Sequence, residues 1–207
     1  MQRVNVGVIG LGEVAQIVHL PVLEALADRY EIGAICDISP TLLTTIGDRY
    51  GIDHRYADFH QLVQQPDLDA VFVLNSDEYH ADCVIAAARN GKQVLVEKPM
   101  CLTLREAEEI IQARDDAGVQ VMVAYMRRFA PAFLLAIDEV RRMESIGYAR
   151  IRDIIGRNRL IIDQAIPVQR PGDFPAGAQE ERTARAVRLV GEAIGEAPPD
   201  IVRAYRL

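Results

Sequence analysis

The sequence predicts an α/β fold, in which a doubly wound parallel sheet is followed by the start of a second, α+β domain. Short apolar runs alternate with helical patterns up to about residue 124, the order typical of a parallel sheet covered on both faces. The run 70–74 is apolar throughout, as expected for a strand buried on both sides. We therefore expect one domain at residues 1–125 and part of another at residues 126–207.

The first domain is predicted to hold six strands, at residues 4–9, 31–36, 54–56, 70–74, 93–96 and 119–124. Helices are predicted between and after them, at residues 16–28, 40–50, 58–65, 81–89, 103–117 and 131–143. Pro21 should bend or restart the first helix, because proline has no N–H to donate. Thr103 and Glu106 have the spacing of a capping box, and Gly118 is a typical helix end.

The second part is predicted to contain a hairpin and a helix. Two β-like runs, 147–156 and 159–166, favour a hairpin. Residues 167–177 hold three prolines and two glycines and should form a loop, residues 180–194 an amphipathic helix, and a further helical stretch starts near residue 200. Two strands and a helix or two bury no sheet face alone, so we expect a homo-oligomer formed through residues 147–207.

Composition limits the class of protein. Half of the 207 residues are hydrophobic, enough for a core without disulfides. Cys36, Cys83 and Cys101 are widely spaced and lack partners at metal-ligand spacing, which predicts reduced thiols and no metal site. A net charge of −7 disfavours nucleic-acid and anionic-membrane partners. Without a targeting pattern or a run of membrane-spanning length, the predicted location is the cytoplasm.

Charge is unevenly distributed along the chain. Between residues 125 and 159 there are eight arginines against four acidic residues, so that this segment is positive while the remainder is acidic. Solvated faces and ion pairs are the ordinary explanation of such a segment. A site for an anionic substrate, or a contact with an acidic partner, is the alternative.

A glycine-rich turn, Gly10–Ala15, directly follows the first predicted strand. Gly10 can adopt a turn conformation that a Cβ opposes, and Gly12 lets the backbone approach a pyrophosphate. Ala15 is small enough for helix–strand packing. Glu13 and Val14 open the helix, whose free N–H groups and positive end would hold the anion. The turn predicts a dinucleotide-binding, Rossmann-type sheet.

Asp37 ends the second predicted strand, 25 residues after Gly12. An acidic residue at about this offset accepts hydrogen bonds from the adenosine ribose. Its charge would repel a 2′-phosphate, and no arginine follows immediately, so the pattern favours NAD over NADP. An ordinary N-terminal cap for the helix starting near Pro40 is the alternative role.

Further candidates follow the fourth and fifth predicted strands. Ligands of open parallel sheets bind beyond the carboxyl ends of the strands, where Asn75 and Ser76 emerge, with His80 shortly after; turn formation explains Asn75 and Ser76 equally well. Glu97-Lys98-Pro99 leaves the next strand. Lys98 could hydrogen-bond a substrate hydroxyl and move its proton, held by Glu97, although a surface ion pair is the ordinary role of such residues.

These motifs together resemble the Gfo/Idh/MocA family of NAD(P)-dependent oxidoreductases, the glucose–fructose oxidoreductase and inositol dehydrogenase group. The resemblance covers about the first 150 residues. It rests on the glycine turn, His19-Leu20-Pro21, Asp37, Glu97-Lys98-Pro99, and Tyr125 to Pro131 after the sixth strand. His19 is expected to pack against the sheet rather than to contact the cofactor. The resemblance implies that Lys98 assists catalysis at the nicotinamide and that Arg128 lies near the active cleft, unless it is a surface residue.

The resemblance implies an NAD-dependent dehydrogenase that transfers a hydride between nicotinamide and a hydroxyl carbon of a sugar, polyol or cyclitol. Glycoside cleavage through transient oxidation also occurs in the family. Members carry a larger C-terminal domain that supplies an Asp and a His, whereas no histidine follows His80 here. We therefore expect a shortened or incompletely represented chain that binds NAD but turns over poorly. The alternative is a non-catalytic dinucleotide-binding module, or a subunit completed by a partner.

Overall fold

The computed structural model describes residues 3–150, 152, 167–195, 197–198 and 201. Its sheet has six parallel strands in the order β3-β2-β1-β4-β5-β6. The strands are β1 (Val4–Ile9), β2 (Tyr30–Cys36), β3 (His54–Tyr56), β4 (Ala70–Val73), β5 (Gln93–Val96) and β6 (Val121–Val123). This order reverses between β1 and β4, which is the point where ligands bind in doubly wound sheets. The predicted parallel sheet is confirmed.

The described helices are α1 (Leu20–Ala25), α2 (Pro40–Tyr50), α3 (Phe59–Val63), α4 (His80–Arg89), α5 (Leu104–Ala117), α6 (Pro131–Arg141) and α7 (Ala178–Ile194). Each of the predicted helices within these residues is present. The first ends at Ala25 rather than near residue 28, because the chain turns at residues 26–29 to enter β2. Within the described part, no helix has the length and apolar character needed to cross a membrane.

Helices cover both faces of the sheet. On one face Val71 and Val73 pack in a cluster with Val84 and Ala87 of α4. On the other, Val6 and Val8 pack with Leu20 of α1. Successive strand residues point to opposite faces, so continuous apolar strands are needed to fill both layers. The core thus holds the carboxyl ends of the central strands in fixed positions at one edge.

Local signals set the helix ends. Thr103 accepts a hydrogen bond from the N–H of Glu106, whose side chain returns to Thr103, which confirms the capping box. Gly118 adopts a left-handed conformation with φ 66°. The Val119 N–H still bonds to α5 at Arg114 O, so β6 starts two residues later than predicted.

Pro21 restarts the first helix, as predicted. A π-helical turn, Ala15–His19, leads directly into α1, with Pro21 in the first turn of α1. The Leu20 N–H reaches back to Ala15 O across this wider turn. Proline cannot donate a backbone hydrogen bond, and wide turns of this kind accommodate such interruptions.

The C-terminal part returns to the sheet domain. Residues 167–177 are irregular, as predicted, and α7 follows, with Ala186, Leu189 and Val190 buried. Helix α6, by contrast, buries no residue. Of the predicted hairpin, residues 147–150 are irregular rather than extended, and most of the remainder lies outside the described residues, as does nearly all of the helical stretch predicted near residue 200.

Candidate active site

Two adjacent cavities lie at the carboxyl edge of the sheet. The first, of about 600 Å³, lies over the ends of β1 and β2 and is lined by Gly10, Gly12 and Asp37. The second, of about 530 Å³, is lined by Glu97 and Lys98 after β5. Both are lined by residues 74–76, so they meet at the end of β4. Cavities of this size are typical of small-molecule sites.

The two glycines of the turn have different roles. Gly10 has φ +91°, and a Cβ there would lie 2.4 Å from the backbone nitrogen of Asn75, so it allows β1 and β4 to approach closely. A Cβ on Gly12 would meet no atom within 4 Å. Gly12 therefore leaves open space beside the start of the helix, where a phosphate can approach the backbone.

Asp37 is half-buried between the glycine turn and the start of α2. Its two carboxylate oxygens accept hydrogen bonds from the backbone N–H groups of Leu11, at 2.8 Å, and Ser39, at 2.9 Å. Burial raises its pKa, against the effect of these hydrogen bonds. The cap of α2 is Ser39, not Asp37. The alternative role of Asp37 as the helix cap is therefore wrong, and its carboxylate lies at the wall of the first cavity.

The other residues of the turn are placed as follows. Ala15 is fully buried, as its packing role requires. Val14 lines the second cavity. Glu13 is exposed and pairs with Arg170, at 2.6 Å between Nε and Oε1. Glu13 thus contacts the C-terminal part of the chain, and its predicted role in cofactor binding stays a prediction.

Residues 167–177, here called the strap, cross the edge of the sheet. The Gln169 N–H donates to the Gln16 side chain at 2.8 Å, and Gln16 donates back to Gln169 O at 3.1 Å. Asp173 contacts the start of α2, and Phe174 lines the first cavity. Sequence reasoning missed this because a Pro/Gly-rich pattern indicates a loop but not its path.

The loop after β4 lies between the cavities. Asn75 and Ser76 line both. The Asn75 amide nitrogen donates to Cys83 Sγ at 3.4 Å, and its buried oxygen has no hydrogen-bond partner among the described residues. Ser76 donates to the Glu78 carboxylate, which lowers the pKa of Glu78 against its burial. Asn75 thus lines both cavities, but its side-chain oxygen is buried rather than exposed in them.

His80 connects the ends of β4 and β5. It is 1% exposed, with Nδ1 2.7 Å from Pro99 O and Nε2 3.0 Å from Asn75 O. Both partners only accept hydrogen bonds, so a neutral imidazole donates to one of them at a time. His80 also lines the second cavity, although its hydrogen bonds position two loops.

Lys98 lines the second cavity, next to the Lys98–Pro99 cis peptide bond. Its ammonium makes no hydrogen bond or ion pair within the described ranges. Glu97 was expected to hold this ammonium, but its oxygens accept from His19 Nε2, at 2.9 Å, and from the Lys98 backbone N–H, at 3.1 Å. The expected direct contact between the Glu97 carboxylate and the Lys98 ammonium is absent among the described residues, although the charge of Lys98 helps to lower the pKa of Glu97. Lys98 is left free to bind a substrate hydroxyl.

His19 packs against the sheet, as expected. Its ring meets Phe72 of β4 edge to face, with 5.9 Å between centroids. The hydrogen bond from His19 is the main cause that lowers the pKa of Glu97. His19 thus holds the Glu97-Lys98-Pro99 turn through its hydrogen bond to Glu97. It lines neither cavity.

Arg128 lies in a short 3₁₀ turn, Met126–Phe129, after β6. It is exposed and lines neither of the two cavities described above. Its position at the carboxyl edge agrees with the strand order. A role in substrate binding stays a prediction.

Helix α7 supplies a wall that sequence reasoning did not assign. Ala186 and Val190 line the second cavity, and Glu181 and Arg182 line the first. The helix is held by Arg185, which donates to Glu78 O at 2.7 Å and to Asp82 at 2.6 Å. The amphipathic pattern of residues 180–194 indicated a packed face, but not which surface it covers.

The arrangement fits a dinucleotide better than a metal ion. Open space over Gly12 and the carboxylate of Asp37 lie along the first cavity, which meets the cavity of Lys98 at residues 74–76. No group of three metal-ligating side chains occurs among the described residues. Glycine-turn N–H groups, a ribose-binding carboxylate and strand-end amides are the donors and acceptors that a dinucleotide uses.

Comparison with known proteins identifies the family of the chain. Residues 4–125 match the family model described as an oxidoreductase family with an NAD-binding Rossmann fold, Gfo/Idh/MocA. Myo-inositol 2-dehydrogenase of Thermotoga maritima is 34% identical over 154 residues, 74% of this chain and 45% of the relative. The NAD(+)-dependent scyllo-inositol 2-dehydrogenase of Bacillus subtilis is 30% identical over 143 residues, 69% of this chain and 41% of the relative.

A solved structure extends the comparison. Scyllo-inositol dehydrogenase from Lactobacillus casei, with bound NAD(H) and scyllo-inositol, has a TM-score of 0.64 at 25% identity, covering 68% of this chain and 42% of that one. The chain spans less than half the length of these relatives. The chain belongs to the Gfo/Idh/MocA oxidoreductase family, whose NAD-binding Rossmann fold is matched by residues 4–125.

Proposed function

We propose that the chain takes part in NAD-dependent oxidoreduction, in which a hydride passes between nicotinamide and a hydroxyl-bearing carbon of a sugar, polyol or cyclitol. The observation that carries the proposal is Lys98, whose unpaired ammonium lines a cavity that adjoins the dinucleotide cavity at residues 74–76. The names of the inositol dehydrogenases that the chain resembles support the cyclitol class.

The residues of the chain would divide the work as follows. Backbone N–H groups of Gly12–Ala15 would bind the pyrophosphate, and Asp37 would bind the adenosine ribose. The N–H groups of Gly10 and Leu11 instead bond to Cys36 O and to Asp37. When bound, NAD supplies the ring that accepts or returns the hydride. In the reducing direction the Lys98 ammonium donates a proton to the carbonyl oxygen as the hydride arrives at the carbon. In the oxidising direction the neutral amine form of Lys98 takes the hydroxyl proton as the hydride leaves. The aliphatic side chains of Ala186 and Val190 exclude water from one side of this cavity.

The test is NADH binding followed by isotope transfer. The chain should bind NADH saturably, measured by cofactor fluorescence. With NAD and inositols or polyols deuterated at the carbinol carbon, mass spectrometry should detect deuterium in the reduced cofactor. Lys98→Met should retain NADH affinity within about threefold and reduce the transfer rate by about 10²-fold or more. Absence of NADH binding, or unchanged transfer by Lys98→Met, would contradict the proposal.

A second candidate is a dinucleotide-binding module without catalysis, or a subunit completed by a partner. It is favoured by the family match, which covers residues 4–125 and describes an NAD-binding fold. This candidate predicts saturable NADH binding and no isotope transfer with any substrate of the panel. Long single-turnover incubations distinguish the two candidates, because they detect even slow isotope transfer.

We further propose self-association through the C-terminal part, domain boundaries near residue 125, and a cytoplasmic location. Phe133, Leu134 and Leu135 of α6 are 43–69% exposed. An apolar surface of this kind favours contact with another subunit. Cys36 and Cys83 are buried free thiols, as is usual in a reducing compartment. Sedimentation velocity should find a dimer or larger species, and a monomer at high concentration would contradict self-association.

A further inference from the structure

Asp173 of the strap occupies the first turn of α2. Its Oδ1 accepts a hydrogen bond from Ser39 Oγ at 2.6 Å, and its Oδ2 accepts one from the Thr41 N–H at 2.8 Å. Ser39 is fully buried and caps α2 by accepting from the Leu42 N–H. The hydrogen bonds from Ser39 and Thr41 lower the pKa of Asp173 to about 2. Asp173 is therefore a carboxylate ion at neutral pH, bound to the donors of a helix N-terminus.

Two carboxylates share Ser39. Its N–H donates to Asp37 at 2.9 Å and its hydroxyl donates to Asp173. Asp37 lines the first cavity, and so does Phe174, the residue after Asp173. The carboxylates of Asp37 and Asp173, from distant parts of the chain, thus lie close together at the proposed ribose end of the first cavity.

This arrangement bears on the choice between NAD and NADP, which differ by a phosphate on the ribose 2′-oxygen. Asp37 is placed to accept from ribose hydroxyls, so a 2′-phosphate must sit beside it. Beside Asp37, the Ser39 hydroxyl and the N–H groups that begin α2 are suited to an anion, and Arg182 also lines this cavity. The Ser39 hydroxyl and the Thr41 N–H already bind Asp173. A 2′-phosphate would find a second carboxylate where it needs donors.

We propose that Asp173 is a second determinant of NAD selectivity, which acts by filling the anion-binding start of α2 with the chain's own carboxylate. The proposal rests on dinucleotide binding at the first cavity. It differs from selectivity by Asp37 alone in one consequence. Neutralising Asp37 leaves the Ser39 and Thr41 donors occupied, so that change alone does not admit NADPH.

The test compares NADH and NADPH dissociation constants, by cofactor fluorescence, for four variants and the unchanged chain. Asp173→Asn should tighten NADPH binding about fivefold or more while NADH affinity stays within about twofold. Asp37→Asn should weaken NADH binding and leave NADPH binding weak. The double variant should bind NADPH more tightly than either single variant, because both carboxylates are neutral.

Asp173→Glu tests whether the cofactor preference depends on the negative charge of Asp173 or on the position of the strap. It keeps the negative charge but changes the contact, so it should retain the preference for NADH, whereas a purely structural role predicts that Glu and Asn behave alike. Added salt should reduce the preference of the unchanged chain more than that of Asp173→Asn. An unchanged NADPH/NADH ratio in Asp173→Asn overturns the inference while NADH binding still supports the proposed function. Loss of NADH binding by the unchanged chain overturns both.

Discussion

The Nε2 atom of His19 lies 2.9 Å from Oε1 of Glu97, although the two residues are 78 positions apart in the chain. His19 follows the glycine turn, and Glu97 precedes Lys98. The contact therefore joins the helix that begins at the proposed pyrophosphate site to the turn that carries the proposed catalytic lysine. Both side chains are nearly buried, at 12% and 15% exposed, so the hydrogen bond is little screened by solvent.

This pair predicts a pH-dependent contribution to stability. The hydrogen bond from His19 lowers the pKa of Glu97. A carboxyl whose folded pKa lies below its unfolded value stabilises the fold above the unfolded value, and the effect is lost as pH falls through the folded pKa. Glu97→Gln should lower the free energy of unfolding by about 1 kcal/mol near pH 7, with a smaller deficit below about pH 4.

Urea unfolding at a series of pH values measures this effect. Glu31→Gln is the matched control, because the Glu31–Arg3 pair is half exposed on both sides and such pairs contribute little. A deficit for Glu97→Gln that stays constant down to about pH 3 would contradict the role of ionisation.

Alanine substitution at the two glycines of the turn should affect different properties: stability at Gly10 and NADH binding at Gly12. Gly10→Ala places a Cβ 2.4 Å from the Asn75 nitrogen at φ +91°, and should lower the free energy of unfolding by about 3 kcal/mol. Gly12→Ala meets no atom within 4 Å and should alter stability by less than about 1 kcal/mol. Because its methyl fills the space beside the helix start, it should weaken NADH binding about tenfold or more.

Thermal melts and NADH titrations of the two variants check this pair of predictions. Gly12→Ala is the control for stability, and the unchanged chain is the control for binding. Equal stability of the two variants would show that the close approach of β1 and β4 at Gly10 is not required. Full NADH affinity in Gly12→Ala would place the pyrophosphate elsewhere.

Local patterns predicted the parts of this site that depend on neighbouring residues. The strand-end rule placed Asp37, Asn75 and Lys98 at one edge, because parallel strands align their carboxyl ends. Contacts across long separations were beyond these patterns: Asp173 is 134 residues from Ser39 and Arg170 is 157 from Glu13. A loop sequence restricts backbone torsions but not the direction in which the loop runs.

The only two lysines of the chain, Lys92 and Lys98, predict a sharp difference in chemical reactivity. Lys92 is 7% exposed, and its ammonium donates to the carbonyl oxygens of Gln65, at 2.7 Å, and Leu68, at 2.8 Å. Lys98 is exposed at the second cavity. An amine-reactive reagent should modify Lys98 at least about 100-fold faster, because Lys92 reacts only after local opening.

Peptide mapping by mass spectrometry at timed intervals measures both rates. In urea the two lysines should react alike, which controls for intrinsic reactivity. Bound NADH should slow the modification of Lys98, since the proposed nicotinamide position lies beside it. Similar rates for the two lysines in the folded chain would contradict the burial of Lys92 on backbone carbonyls.

Arg185 is predicted to hold α7 against the sheet domain. Its guanidinium donates to Glu78 O and Asp82 and lies 4.7 Å from the centre of the Tyr79 ring. Arg185→Ala removes all three contacts and should destabilise the fold by about 1–2 kcal/mol. Because α7 walls both cavities, NADH binding should weaken as the helix detaches. Hydrogen exchange of residues 178–194 should become faster.

Arg188→Ala is the matched control, one turn further along the same helix and exposed; it should alter stability by less than about 0.5 kcal/mol. If Arg185→Ala accelerates exchange in α7 while exchange in β1 and β4 stays slow, the helix opens as a separate unit. Equal acceleration throughout would mean that α7 and the sheet unfold together. Unchanged exchange in α7 would show that the apolar contacts of Ala186, Leu189 and Val190 suffice to hold it, and the role assigned to Arg185 would be wrong.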